Sequence, residues 1–253
     1  MGMLEGKAAM LTGTSSGIGR AIAIRFGEEG ASVVLASRRA EEDEETARLV
    51  RGTGAEAAVL TTDITDPAQV EKVADETVSR FGQIDCAVNN AAMVGDPATT
   101  ASQTVEQWRK VIDTNLTGTW LCMKAQINAM LAAGKGGSIV NVASAGGLVA
   151  APMMPAYSAS KAGVMGITRT AAIEFAKERI RVNAICPGPT ETPMTIAMAE
   201  AGGPSAADVA QFIPLGRTAS VEEQASAAVY LASDDAGFIT GVALPVDGGM
   251  AAS

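Results

Sequence analysis

Histidine is absent from the 253-residue chain. That absence removes Ser-His-Asp triads, Cys-His pairs and histidine-ligated metals from the chemistries open to it. Cysteine is scarce: Cys86, Cys122 and Cys186 are far apart, odd in number and form no CxxC pair. Neither a disulfide framework nor a zinc knuckle is expected, no metal site is expected, and a reducing, cytoplasmic compartment fits best. Basic residues are outnumbered 19 to 28, for a net charge of −9. Nucleic acid and anionic membranes are therefore poor partners. No uninterrupted apolar run reaches membrane-spanning length, since Lys124 breaks the best candidate. The opening residues, Met1 to Lys7, lack the basic and apolar regions of a secretion signal. Aromatic residues are few, 2 Trp, 2 Tyr and 5 Phe, so the setting of each tyrosine can be weighed by itself.

What the chain does have is alternation. Short apolar or β-branched runs at residues 8–11, 32–36, 57–60, 85–88, 138–142, 180–185 and 242–246 read as strands. Between them lie helical patterns at 17–29, up to 51, 67–81 (opened by Pro67), 104–133, 155–177 and 221–232. Such alternation predicts βαβ units in a single α/β domain over residues 1–253: a doubly wound Rossmann-type parallel sheet of about seven strands with helices on both faces. The acidic run Glu41, Glu42, Asp43, Glu44 and Glu45 is expected to face solvent at a helix N-terminus. Residues 192–217, rich in Pro, Gly, Met and Ala, carry no strand pattern and are expected to form a lid over a site.

The first strand–helix junction reads Thr12-Gly13-Thr14-Ser15-Ser16-Gly17-Ile18-Gly19. Glycines there allow a tight turn and close approach of backbone to a pyrophosphate, with the positive end of the following helix aimed at it. The second strand ends Ala36-Ser37-Arg38-Arg39. A carboxylate at such a strand end binds the ribose 2′-hydroxyl of NAD, whereas arginine accommodates the 2′-phosphate of NADP. With no carboxylate at 37 or 38, NADP(H) is expected over NAD(H), held by Ser37, Arg38 and Arg39. Tyr157 and Lys161 are spaced i, i+4 and share one helix face. A phenol that works as proton donor and acceptor near neutrality needs its pKa lowered by about 3 units, and a neighbouring ammonium acts in that direction. Tyr230 has no lysine at that spacing and reads as packing.

These motifs, in this order, resemble the short-chain dehydrogenase/reductase family, in the branch whose chains are about this long. Further matches are Asn89-Asn90-Ala91-Ala92, Tyr157-Ser158-Ala159-Ser160-Lys161, the Pro-Gly-x-x-x-Thr run at Pro187 to Thr192, and Val246-Asp247-Gly248-Gly249. Ala92 stands where the family usually has glycine, and Ser16 where some NADP enzymes have a basic residue. The resemblance implies hydride transfer between nicotinamide and a ketone or secondary alcohol. It assigns Tyr157 as acid/base, Lys161 as the group that lowers its pKa and binds the nicotinamide ribose, Ser144 as the carbonyl-orienting serine, and Asn115 as holder of a water in a proton relay. It also implies adenine contacts from Asp63 and Ile64, ribose lining by Asn90, and a nicotinamide-fixing loop of Pro187, Gly188, Thr190 and Thr192. A homotetramer is implied, with the 104–133 and 155–177 helices at one interface.

The substrate wall is expected among Met93, Val94, Leu148, Val149, Ala150, Met153, Met154, Met194 and Met198. Adaptable methionines favour an apolar or cyclic small-molecule carbonyl over a sugar. Within enzymes the competing readings are a 3-oxoacyl thioester reductase acting on an acyl carrier protein, for which Lys177, Arg179 and Arg181 offer docking cations, and a polyol or sugar dehydrogenase using NAD. A non-catalytic dinucleotide sensor is the non-enzyme reading. It has no use for Asn115, Ser144, Tyr157 and Lys161 together.

Overall fold

The computed structural model describes residues 2–200 and 202–252, without the Met198 side chain. Seven strands, β1 (Ala8–Thr12), β2 (Ser32–Ser37), β3 (Ala57–Thr61), β4 (Cys86–Asn89), β5 (Gly137–Val142), β6 (Ile180–Pro187) and β7 (Ala243–Val246), form one sheet in the order β3-β2-β1-β4-β5-β6-β7. Every pairing is parallel. A parallel sheet covered on both faces needs apolar residues at consecutive strand positions, which is why Ala8–Thr12 is buried throughout. The expected doubly wound α/β domain is what forms.

The two faces bury different helices. Ala9, Leu11, Val33 and Leu35 point to the side of α1 (Gly17–Glu28), α2 (Ala40–Arg51) and α9 (Val221–Ala232), where Phe26 is fully buried. Met10, Val34, Ala87 and Ile139 point the other way, to α3 (Pro67–Phe81), α5 (Gly118–Ala133) and α6 (Pro155–Glu174). Helix starts follow local chemistry. Asp66 accepts from the Ala68 and Gln69 amides ahead of α3, and Ser220 with Glu223 closes a capping box on α9. Connections leave β1 toward β2 but leave β3 for β4 on the other side of β1. At that switch the loops after β1 and β4 diverge and open a crevice at the carboxyl ends of the strands.

Three features depart from the sequence-based expectation. Residues 104–133 are not one α-helix. α4 (Val105–Ile112) passes into a π-helical turn, Asp113–Thr117, before α5 begins. The extra residue rotates Asn115 inward, where it is fully buried. The strand-free stretch 192–217 carries two helices, α7 (Pro193–Glu200) and α8 (Ala206–Ala210), while Ala201 lies outside the described residues. The acidic run does not face solvent as a whole. Asp43 is completely buried, because it shares the inward stripe of α2 with Thr46, Ala47 and Val50. The i, i+3, i+4, i+7 spacing of those four residues was the available signal.

Candidate active site

The crevice is a cavity of about 530 Å³ at the carboxyl ends of β1, β2, β4, β5 and β6. Its floor is the β1–α1 loop. Gly13 (φ +70°) and Gly17 (φ +55°) adopt left-handed backbone, and a Cβ on Gly13 would lie 2.6 Å from the Ala91 backbone. Gly19 is not on the wall but is equally constrained, since its Cβ would fall 2.1 Å from the Gly13 carbonyl oxygen. Asn90, at the end of β4, donates from Nδ2 to that oxygen at 2.8 Å and locks the loop. The Ser16 side chain makes no cap on α1, and no acidic residue occupies its first turn. An uncapped helix start facing a glycine cradle suits an anion, so these residues fit the diphosphate of a dinucleotide.

Ser37, Arg38, Arg39, Asp63 and Ile64 line one end of the cavity. Arg39 crosses the loop, donating from Nη2 to Ser15 Oγ and Ser16 Oγ, both at 2.7 Å. Arg38 is exposed, and its charge, after the Thr65 hydrogen bonds, helps hold the Asp63 carboxyl below its usual pKa. At the other end, Pro187, Gly188, Thr190 and Thr192 form the wall after β6. Thr190 Oγ1 donates to the Gly188 carbonyl at 2.9 Å and accepts from buried Gln224 at 3.2 Å. Gln224, which sequence reasoning missed, ties this loop to β7 through a 2.9 Å bond to the Val246 carbonyl. No motif marks it, since its partners come from distant strands.

Ser144, Tyr157 and Lys161 meet at the centre of the wall. Ser144 starts a short 3-10 turn after β5, and its Oγ accepts from the Gly146 amide at 3.0 Å. Pro155 opens α6, so Tyr157 lies in its first turn and Lys161 one turn later. Lys161 is buried, with Nζ donating to the Val142 carbonyl at 2.7 Å and lying 5.7 Å from the Tyr157 ring centre. Burial pushes its ammonium down to about 8. Burial raises the Tyr157 phenol, and the group that pulls it back down is the Ser144 hydroxyl. The Lys161 amine is aimed at a carbonyl and its own charged form is disfavoured.

Asn115 is not part of the cavity wall. Its Oδ1 accepts from the Met93 amide at 2.8 Å, and Nδ2 donates to the Met93 carbonyl at 2.8 Å and to Ser160 Oγ at 3.1 Å. Both amide protons and one oxygen lone pair of Asn115 thus clamp the segment after β4 to α6. Of the expected substrate wall, Val94, Met154 and Met194 line the cavity, and Met93, Val149 and Met153 do not. Met93 is held by Asn115, and Met153 is half exposed with a left-handed backbone. The Met198 side chain lies outside the described residues. Ala151 and Met250 join the wall unforeseen, Met250 from a turn after β7 that sequence order places far from β4. Of the docking cations considered for an acyl carrier, Lys177 is exposed, and the two arginines make hydrogen bonds to backbone carbonyls. Arg181 donates to the carbonyls of Leu231, Ile239 and Ser233, and Arg179 to that of Gly134.

Comparison with known proteins agrees with this geometry. A family profile described as enoyl-(acyl carrier protein) reductase matches residues 13–251. The 2,5-dichloro-2,5-cyclohexadiene-1,4-diol dehydrogenase of Sphingobium indicum is 41% identical over 252 residues, covering 100% of both chains. The cyclohexanol dehydrogenase of an Acinetobacter species is 36% identical, covering 96% of this chain and 94% of its own. The crystal structure of carveol dehydrogenase from Mycobacterium avium in complex with NAD superposes with a TM-score of 0.95 at 30% identity, covering 100% of each chain. Its glycine cradle, its Tyr157–Lys161 helix face and its full-length relatives together place this chain in the short-chain dehydrogenase/reductase family.

Proposed function

We propose that the protein is an NADP(H)-dependent oxidoreductase that interconverts an apolar cyclic ketone and its secondary alcohol. The observation that carries this reading is the meeting of Ser144, Tyr157 and Lys161 at one point of a cavity whose far end is a glycine cradle. Gly13, Ser15, Ser16, Gly17, Ile18 and Gly19 would hold the diphosphate. Asn90, Asp63 and Ile64 would take the adenosine, Arg38 and Arg39 the 2′-phosphate, and the Pro187–Thr192 loop the nicotinamide. Bound nicotinamide supplies or takes up the hydride at the reacting carbon.

The chain's own residues handle the proton. In reduction the Tyr157 phenol donates to the developing alkoxide, and in oxidation its phenolate accepts from the alcohol. Ser144 hydrogen-bonds the same substrate oxygen and keeps the phenol's pKa from rising further. Lys161, buried one turn away, binds the nicotinamide ribose and supplies positive charge while it is protonated. Asn115 acts through others, as a positioning residue that fixes the Met93 segment against α6.

Val94, Ala151, Met154 and Met194 give the reacting end an apolar wall, and among the described residues the cationic side chains lining the cavity are Arg38, Arg39 and Lys161. A carboxylate or phosphate on the substrate would find no counter-charge there beyond Lys161, which disfavours acidic substrates and keto sugar phosphates. The relatives named for cyclohexadiene-diol, cyclohexanol and carveol point the same way. Residues 192–217 act as the lid, since α7 brings Met194 and Thr195 onto the wall. Exposed Trp108, Trp120 and Ile173 on α4, α5 and α6 support a homotetramer through that face. Three free, buried cysteines suit a cytoplasmic location, and no helix among the described residues is long and apolar enough to cross a membrane.

The test is NADPH consumption across cyclic and aryl ketones, cyclic diketones, an acetoacetyl thioester and a keto sugar, with Tyr157→Phe alongside. Turnover is expected with cyclic ketones, falling by about 100-fold or more in the variant. Tight NADPH binding without turnover of any ketone would instead favour a dinucleotide sensor.

A further inference from the structure

Asp43 is a carboxylic acid with no solvent exposure, placed directly behind the nucleotide end of the cavity. Its Oδ1 accepts from Thr14 Oγ1 at 2.7 Å, and its Oδ2 accepts a short hydrogen bond from Ser37 Oγ. Thr14 belongs to the glycine loop, and Ser37 is the last residue of β2 and lines the cavity. A serine hydroxyl has one proton and two lone pairs. Ser37 gives that proton to Asp43 and takes a bond from the Arg39 amide at 3.2 Å. What remains toward the cavity is one lone pair, an acceptor only. Burial raises the pKa of the Asp43 carboxyl, and the hydrogen bonds from Ser37 and Thr14, with the charges of Arg39 and Arg20, act against that rise and favour the carboxylate.

The end of β2 is where a dinucleotide's adenosine ribose carries either a 2′-hydroxyl or a 2′-phosphate. A hydroxyl can donate to the Ser37 lone pair. A phosphate has only acceptors to offer, so Ser37 gives it no bond, and the buried negative charge behind Ser37 opposes it. Arg38 and Arg39 pull in the opposite direction. We propose that Asp43 is a specificity-determining residue acting through Ser37: it turns the Ser37 hydroxyl away from the cavity and so keeps NAD(H) binding close to NADP(H) binding, against the pull of the two arginines. This inference rests on the nucleotide-site reading above and assigns Asp43 a role that neither the glycine loop nor the arginines supply.

Calorimetric titration with 5′-AMP and 2′,5′-ADP tests it without any turnover. The two nucleotides differ at the 2′ position alone. In Asp43→Asn the negative charge is gone and the amide can donate to Ser37 Oγ, freeing the hydroxyl proton for the cavity. The ratio of 2′,5′-ADP to 5′-AMP affinity should rise about tenfold, the worth of one hydrogen bond to a charged group. Ser37→Ala, on the cavity surface, should weaken 5′-AMP severalfold and leave 2′,5′-ADP nearly unchanged, and in its background Asp43→Asn should shift the ratio by less than about threefold. A Ser37→Ala protein that loses more affinity for 2′,5′-ADP than for 5′-AMP would show Ser37 donating to the phosphate, and would overturn the proposal. So would an unaltered ratio in folded Asp43→Asn, or an equal shift with and without Ser37. If the wild-type protein binds neither nucleotide, the nucleotide-site reading itself falls, and this inference with it.

Discussion

Lys161 is a buried cation in a costly setting. A lysine buried without a carboxylate partner, bonded to the Val142 carbonyl alone, has its pKa pushed down to about 8 from 10.5. The unfolded chain therefore binds more protons than the folded chain between those two values, so stability rises with pH across that window. Below pH 8 the full burial cost applies, about 3 kcal/mol by linkage. Lys161→Met should accordingly be inactive yet more stable than wild type at pH 7 by about 2–3 kcal/mol, with the advantage shrinking toward pH 10. Urea unfolding at the two pH values measures this directly, and an advantage that does not change with pH would contradict it. Stability is here given up for a cation beside the Tyr157 phenol. Burial lifts that phenol, and the Ser144 hydroxyl pulls it back down.

Among the elements, the π-helical turn Asp113–Thr117 has the largest consequence for the site. It converts what reads as one long helix into two that are out of phase, and it buries Asn115 between the segment after β4 and α6. Asn115→Ala would leave the Met93 amide and carbonyl without their side-chain partners. The expected cost is about 2–4 kcal/mol, read as a lower urea midpoint with an unchanged slope. A variant as stable as wild type would mean that the clamp does not hold the segment. Helix α2 shows the same principle from the other side. Its sequence is rich in acidic residues and suggests a solvated surface, yet its inward stripe of Asp43, Thr46, Ala47 and Val50 fastens the phosphate loop to β2. Thr46 accepts from Arg20 Nε at 2.9 Å and donates to the Thr14 carbonyl at 3.0 Å, so the loop is held from behind as well as by Asn90.

At the scale of the whole molecule, three helices, α4, α5 and α6, carry large exposed apolar side chains. Ile173 is 81% exposed on α6, and Trp108 and Trp120 are also open to solvent on α4 and α5. Light scattering is expected to find four chains per particle, and Ile173→Asp to break the assembly into smaller ones, because a charge buried at an apolar interface without a partner is costly. A variant that still assembles in fours would move the interface elsewhere.

Sequence alone determined the architecture and the placing of Tyr157 and Lys161 on one helix face, because both are written in local spacing. Strand–helix alternation, the glycines before α1 and the i, i+4 pair Tyr157–Lys161 depend on neighbours a few residues away. Ser37, Arg38 and Arg39 were likewise legible as the end of β2. Which side chains bond one another across the sheet was decided only in three dimensions. Asn115 spends its amide on Met93, Gln224 supports Thr190 from α9, Met250 reaches the cavity from beyond β7, and Asp43 takes the Ser37 proton. Each of these contacts joins residues on different elements. Periodicity can say that a residue faces inward, but packing decides what it meets there.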